Sequence, residues 1–115
     1  MMMNRLITRE TDLRTLLQEH PAVLIHFSAP DCGVCHSLKP RIAALVAAQF
    51  PRLVLAEVDC AASPELAAQQ RVFTIPVLLL FLEGRESLRL ARNFHLAELR
   101  DQLARPYTLL FGEER

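Results

Sequence analysis

Apolar positions along the chain fall into two alternating kinds of segment. Nearly continuous apolar runs occur at Ala22 to Ser28, Leu53 to Asp59 and Val77 to Leu82, and short runs of this kind predict strands buried on both faces. Between them the apolar residues recur at helical spacing. Leu13, Leu16 and Leu17 mark a first helix, capped by Thr8 or Thr11 and ending before Pro21. Leu38, Ile42, Leu45 and Val46 mark a second, from about Cys32 to Phe50, with Pro40 inside it as a kink. Ser63-Pro64-Glu65 starts a third, with serine at the cap and proline at the first helical position. A last helix is expected over Leu96 to Ala104, stopped by Pro106. Arg5 to Thr8 predicts a short edge strand, and Glu83-Gly84-Arg85 a hairpin turn into a strand from Glu86 to Ala91. The alternation argues for the α/β class: a central mixed β-sheet flanked by helices on both faces, its last strands antiparallel.

Length and charge narrow the function. The 115 residues suit a single domain, 1–115, and 51% hydrophobic content can fill a real core. Thirteen basic residues balance thirteen acidic ones, and the arginines are scattered, so no nucleic-acid partner is expected. The longest apolar stretch, Val77 to Leu82, is far below the roughly 20 residues of a membrane span. The first ten residues carry Arg5, Arg9 and Glu10 and no signal-peptide core, so a soluble cytoplasmic protein without a membrane partner is expected. Three cysteines in a reducing compartment read as reactive, metal-binding or incidental thiols.

The informative stretch is Ala29-Pro30-Asp31-Cys32-Gly33-Val34-Cys35-His36, where a buried strand gives way to a helix. Free N–H groups and partial positive charge at a helix N-terminus stabilise a thiolate at Cys32. Cys35, one turn further on, lies on the same face within disulfide reach. A thiol of pKa about 8.5 is roughly 3% ionised at pH 7, and one of about 7 is half ionised. Falling nucleophilicity takes back about fivefold of that roughly fifteenfold gain. The larger benefit is a tethered resolving thiol, whose effective concentration no free thiol matches. Other readings of the same residues are open. Cys32 to His36 also spells the C-x-x-C-H haem-attachment signature, but Met1, Met2 and Met3 are the only methionines and no export signal precedes it. A metal site would need His36, Cys60 or another histidine beside the pair. Two buried structural thiols are the plainest alternative.

Taken together, the strand Val23 to Phe27, Cys32-Gly33-Val34-Cys35, Pro40, Val58-Asp59, Thr74-Ile75-Pro76 and the Gly84 turn resemble the thioredoxin family. The resemblance runs from about residue 5 to 104 and leaves 105–115 as a C-terminal extension, whose Tyr107, Leu110 and Phe111 are too apolar to float free. It implies a thioredoxin-like fold and a thiol–disulfide oxidoreductase acting in cell redox homeostasis. Cys32 would be the nucleophile, Cys35 the resolving thiol, and the two would form the redox disulfide. Pro76 would be a cis-proline facing the site, with the Ile75 backbone pairing to an extended substrate segment. No metal or organic cofactor is implied. The partners would be protein disulfides and a recycling reductase or small thiol, with the chain a monomer or weak dimer.

Departures from the family pattern are equally informative. Ser28 and Asp31 stand where that family has tryptophans, and Val34 replaces a proline. Asp31 should oppose a Cys32 thiolate, while His36 could favour it when charged. The positions of the family's buried acid–lysine pair hold His26 and Glu57, so the charge pattern is swapped. The resulting expectation is that neutral His26, oriented by Glu57, takes the proton of Cys35. Loss of the tryptophans also leaves room for an alternative, a binding or adaptor module with weak redox turnover. Cys60, at a strand end, is expected to be a half-buried residue.

Overall fold

The computed structural model describes residues 5–91 and 93–112. Among them the elements run β1 (Arg5–Leu6), α1 (Glu10–Glu19), β2 (Ala22–Ser28), α2 (Gly33–Gln49), β3 (Val54–Asp59), α3 (Pro64–Gln69), β4 (Val77–Leu82), β5 (Arg85–Ala91) and α4 (Leu96–Phe111). The sheet order is β1-β3-β2-β4-β5. β1 and β2 both run parallel to β3, and β4 is antiparallel to β2 and β5, so the sheet is mixed.

β2 occupies the middle, and all seven of its residues are buried. Its side chains alternate between two cores. Val23, Ile25 and Phe27 meet Leu13 and Leu16 of α1 and Leu66 of α3. Ala22 and Leu24 meet Ile42 and Val46 of α2 and Leu99 and Leu103 of α4. The apolar runs are continuous because the helices cover both faces of the sheet. The hairpin between β4 and β5 turns on Glu83 (φ 52°) and Gly84 (φ 81°). Two successive left-handed residues make a turn whose twist matches the strands. The Ile75–Pro76 peptide, just before β4, is cis.

Two local expectations are corrected, and a third holds. α1 starts at Glu10 with Arg9 at its cap and no side-chain cap bond, so neither Thr8 nor Thr11 caps it. Glu10 and Asp12 in its first turn complement the helix dipole instead. The start of α3 is as expected, with Ser63 at the cap and Pro64 at the first helical position; the Ser63 side chain makes no cap bond, and Asp59 serves that corner, accepting from the N–H groups of Ala61 and Ala62. Most consequential, Pro106 does not stop the last helix, which continues to Phe111. A proline inside a helix removes one hydrogen bond and crowds the preceding turn, so packing must outweigh it here. Tyr107 is buried edge-on against Phe50, ring centroids 5.1 Å apart. Its hydroxyl accepts from the Arg52 N–H at 3.0 Å. Phe111 lies 4.8 Å from Tyr107 and carries the Arg52 guanidinium 4.3 Å above its ring. The extension thus packs on the α2/α4 core as far as Phe111, with 113–115 outside the described residues.

Tyr107→Ala should therefore lower stability by about 3 kcal/mol, and Tyr107→Phe by under about 1 kcal/mol. Equilibrium urea denaturation measures both, and equal losses would place the energy in the hydroxyl rather than in ring packing.

Candidate functional site

Cys32 is the N-cap residue of α2, with extended backbone (φ −95°, ψ 101°). A turn prepares it: the Cys32 N–H donates to the Ala29 carbonyl at 3.2 Å, closing Ala29-Pro30-Asp31-Cys32, a type of turn in which proline favours the second position. The Cys35 N–H, an orphan donor of the first helical turn, points at Cys32 Sγ from 3.2 Å. A sulfur so placed is stabilised as thiolate by both the hydrogen bond and the helix dipole. Cys32 and Cys35 are joined as a disulfide, their Cα atoms 5.3 Å apart. The two sulfurs are unequal in access: Cys32 is half-buried, whereas Cys35 is 2% exposed. An incoming thiol or thiolate meets Cys32.

The rest of the loop is open. Asp31, Gly33, Val34 and His36 are all exposed. The His36 ring is committed elsewhere, since Nε2 donates to the Pro30 carbonyl at 2.7 Å. On the opposite side of the sheet end, Val77 pairs with Phe27, which sets Pro76 level with Ser28, the last residue before the cysteine loop. Ile75 and Pro76 therefore share the sheet end that carries Cys32.

Beneath Cys35 the charges are arranged otherwise than expected. His26 and Glu57 are register partners on neighbouring strands, yet Glu57 does not orient the imidazole. Its carboxylate pairs with Lys39 Nζ at 2.8 Å and accepts from the Ser28 hydroxyl at 2.9 Å. Both His26 ring nitrogens lie buried without a hydrogen-bond partner. Burial lowers the His26 pKa from 6.5 to about 4, with Lys39 adding to the shift and Glu57 opposing it. The imidazole is therefore neutral near pH 7. For Glu57, burial alone would raise the pKa, but the hydrogen bonds from Lys39 and Ser28 and the nearby positive charge outweigh it. The carboxyl is held below its usual range.

A cleft of about 280 Å³ gathers Ser28, Cys35, His36, Lys39, Glu57 and Asp59. Water molecules, at roughly 30 Å³ each, fit within it. His26 does not line it. Lys39 and the partnership of Ser28 escaped the reading of the sequence, although Lys39 follows Cys35 by four residues, which puts both on one helix face. Cys60 is a half-buried free thiol, and burial together with Asp59 pushes its pKa up. Among the described residues no three His, Cys, Asp or Glu side chains converge to hold a metal ion, and no helix is long and apolar enough to cross a membrane.

Comparison with known proteins bears on this geometry. The thioredoxin family model matches residues 5–105. The thioredoxin-like protein YdfQ of Bacillus subtilis is 39% identical over 101 residues, covering 88% of this chain and 89% of that protein. Protein disulfide-isomerase A2 of Pongo abelii is 42% identical over 84 residues, 70% of this chain but 16% of that much longer protein. The thioredoxin of Fasciola hepatica superposes with a TM-score of 0.81 at 27% identity, covering 88% of this chain and 97% of that one. A mutant thioredoxin from Halobacterium salinarum NRC-1 gives the same TM-score at 26% identity, covering 91% and 90%. With the match spanning the whole sheet and a cysteine pair bonded at the mouth of α2, the chain belongs to the thioredoxin family of thiol–disulfide oxidoreductases.

Proposed function

We propose that this chain exchanges disulfides with protein substrates through Cys32 and Cys35. The observation that carries the reading is the disulfide at the start of α2, with one sulfur accessible and its mate sealed beneath. In the reduced protein, Cys32 thiolate attacks one sulfur of a substrate disulfide, forming a mixed disulfide and releasing a substrate thiolate. Cys35 then loses its proton and attacks Cys32 Sγ, freeing the second substrate thiolate. The substrate gains two electrons and the protein loses two, to be restored by a dithiol reductase or a small thiol. A substrate segment would lie along Ile75 and cis Pro76, and exposed Val34 and Asp31 would border it. The reading carries a reducing compartment, the cytoplasm, as the place of work, which the free Cys60 thiol suits.

The proton of Cys35 has a route through the cleft to Glu57. Glu57 lines the same space as Cys35, and Lys39 and Ser28 hold its carboxylate ionised. Its lowered basicity makes it a relay to solvent and not a store. His26, sealed and neutral, has a structural part: its folded-state pKa near 4 against 6.5 means that the unfolded chain binds more protons between these values.

Turnover is tested by insulin reduction with dithiothreitol. Cys32→Ser should fall to the uncatalysed rate, and Cys35→Ser should accumulate a mixed disulfide; undiminished turnover in Cys32→Ser would refute the reading. Glu57→Gln should slow release of that mixed disulfide by about tenfold, seen in single-turnover kinetics; a rate equal to that of the parent chain removes the relay. The His26 contribution to stability, about 3 kcal/mol at most, is complete above pH 6.5 and is lost as pH falls toward 4. His26→Leu should flatten that slope in urea titrations at several pH values, and parallel curves for the two proteins would contradict it.

A further inference from the structure

α3 ends in a way that ties it to a distant strand. The Val72 N–H bonds the Ala67 carbonyl at 2.9 Å and the Arg71 N–H bonds the Ala68 carbonyl at 2.9 Å, a paired arrangement that closes a helix C-terminus. The left-handed position in it is normally glycine, but here it is Arg71, at φ 58°. A side chain in this conformation costs of order 1 kcal/mol, so something else must hold the corner. Arg89 of β5 does so. Its guanidinium donates to the Gln70 carbonyl at 2.8 Å and the Arg71 carbonyl at 3.1 Å. Glu86 fixes the guanidinium by a two-oxygen pairing, Nε at 2.9 Å and Nη2 at 3.0 Å.

That pairing depends on an irregularity. Residues three apart on a regular strand face opposite sides of a sheet. In β5, however, Leu79 pairs with Arg89 and Phe81 pairs with Glu86, because the register shifts between Leu80 and Phe81. Ser87 is the additional residue, and it brings Glu86 to the face of Arg89, the face covered by α3. The same register shift thus assembles the clamp and aims it at the helix end.

What the clamp holds is the start of the segment 72–76. Val72 is buried, Phe73 is 79% exposed, and Ile75–Pro76 leads into β4 beside the cysteine loop. We propose that Arg89, fixed by Glu86, is a positioning residue for protein substrates: it sets the end of α3 and so the placement of Phe73 to Pro76 against an incoming polypeptide. The proposal rests on the exchange activity above but assigns nothing to the cysteines. A small disulfide needs only Cys32, whereas a polypeptide needs the segment as well.

The test compares insulin with dithiobis(nitrobenzoic acid) as oxidants of the reduced protein, using Arg89→Gln, Arg89→Lys and Glu86→Gln. Arg89→Gln should raise the KM for insulin about fivefold with kcat within about twofold, the signature of lost binding and not of lost chemistry. Its rate with the small disulfide should stay at the level of the parent chain. Glu86→Gln and Arg89→Lys, which keep part of the clamp, should fall between and serve if Arg89→Gln does not fold. An unchanged KM in the folded variants, or a parallel loss with both oxidants, overturns the inference. Absence of insulin turnover in the parent chain would instead overturn the exchange activity, and this inference with it.

Discussion

Everything at the functional end of the molecule hangs from β2. It is buried along its whole length between β3 and β4, and helices cover both its faces. Such a strand cannot shift register without moving apolar side chains to the wrong face, so the point where it ends is fixed. The turn at Ala29 to Cys32 starts from that point, and the first free N–H groups of α2 come immediately after. The electrostatics of the reactive sulfur follow from how the central strand is packed.

The charges under the disulfide form a compact unit of their own. Lys39 descends from α2, Ser28 and Glu57 rise from β2 and β3, and the three meet beside Cys35. Glu57 is only partly shielded, which leaves it in contact with the cleft. His26, its register neighbour, is shut away and stays uncharged. Two titratable groups on adjacent strands are thus separated in role by depth and by their partners.

How far the sequence could be read depended on whether a feature was local. The strands at Ala22, Val54 and Val77 and the cysteine loop were legible, because continuous apolar runs and a cysteine pair at a strand–helix junction carry their meaning within a few residues. The end of α4 was not: a proline rule of local validity gave way to an aromatic cluster joining Phe50, Tyr107 and Phe111 across the fold. Adjacency of His26 and Glu57 was legible, but not that Lys39 and Ser28 would win the carboxylate, since register places Cα atoms and not side-chain hydrogen bonds. Glu86 and Arg89 gave no sign at all, because their spacing puts them on opposite faces of any strand without a bulge.

The unequal access of the two sulfurs has a kinetic consequence. Of the two sulfurs only that of Cys32 can be reached, so the molecule that reduces the pair and the molecule reduced by it must enter through one doorway, and never together. The two half-reactions then take turns at one sulfur, a double displacement in which each reactant, in excess, obstructs the form of the protein meant for the other.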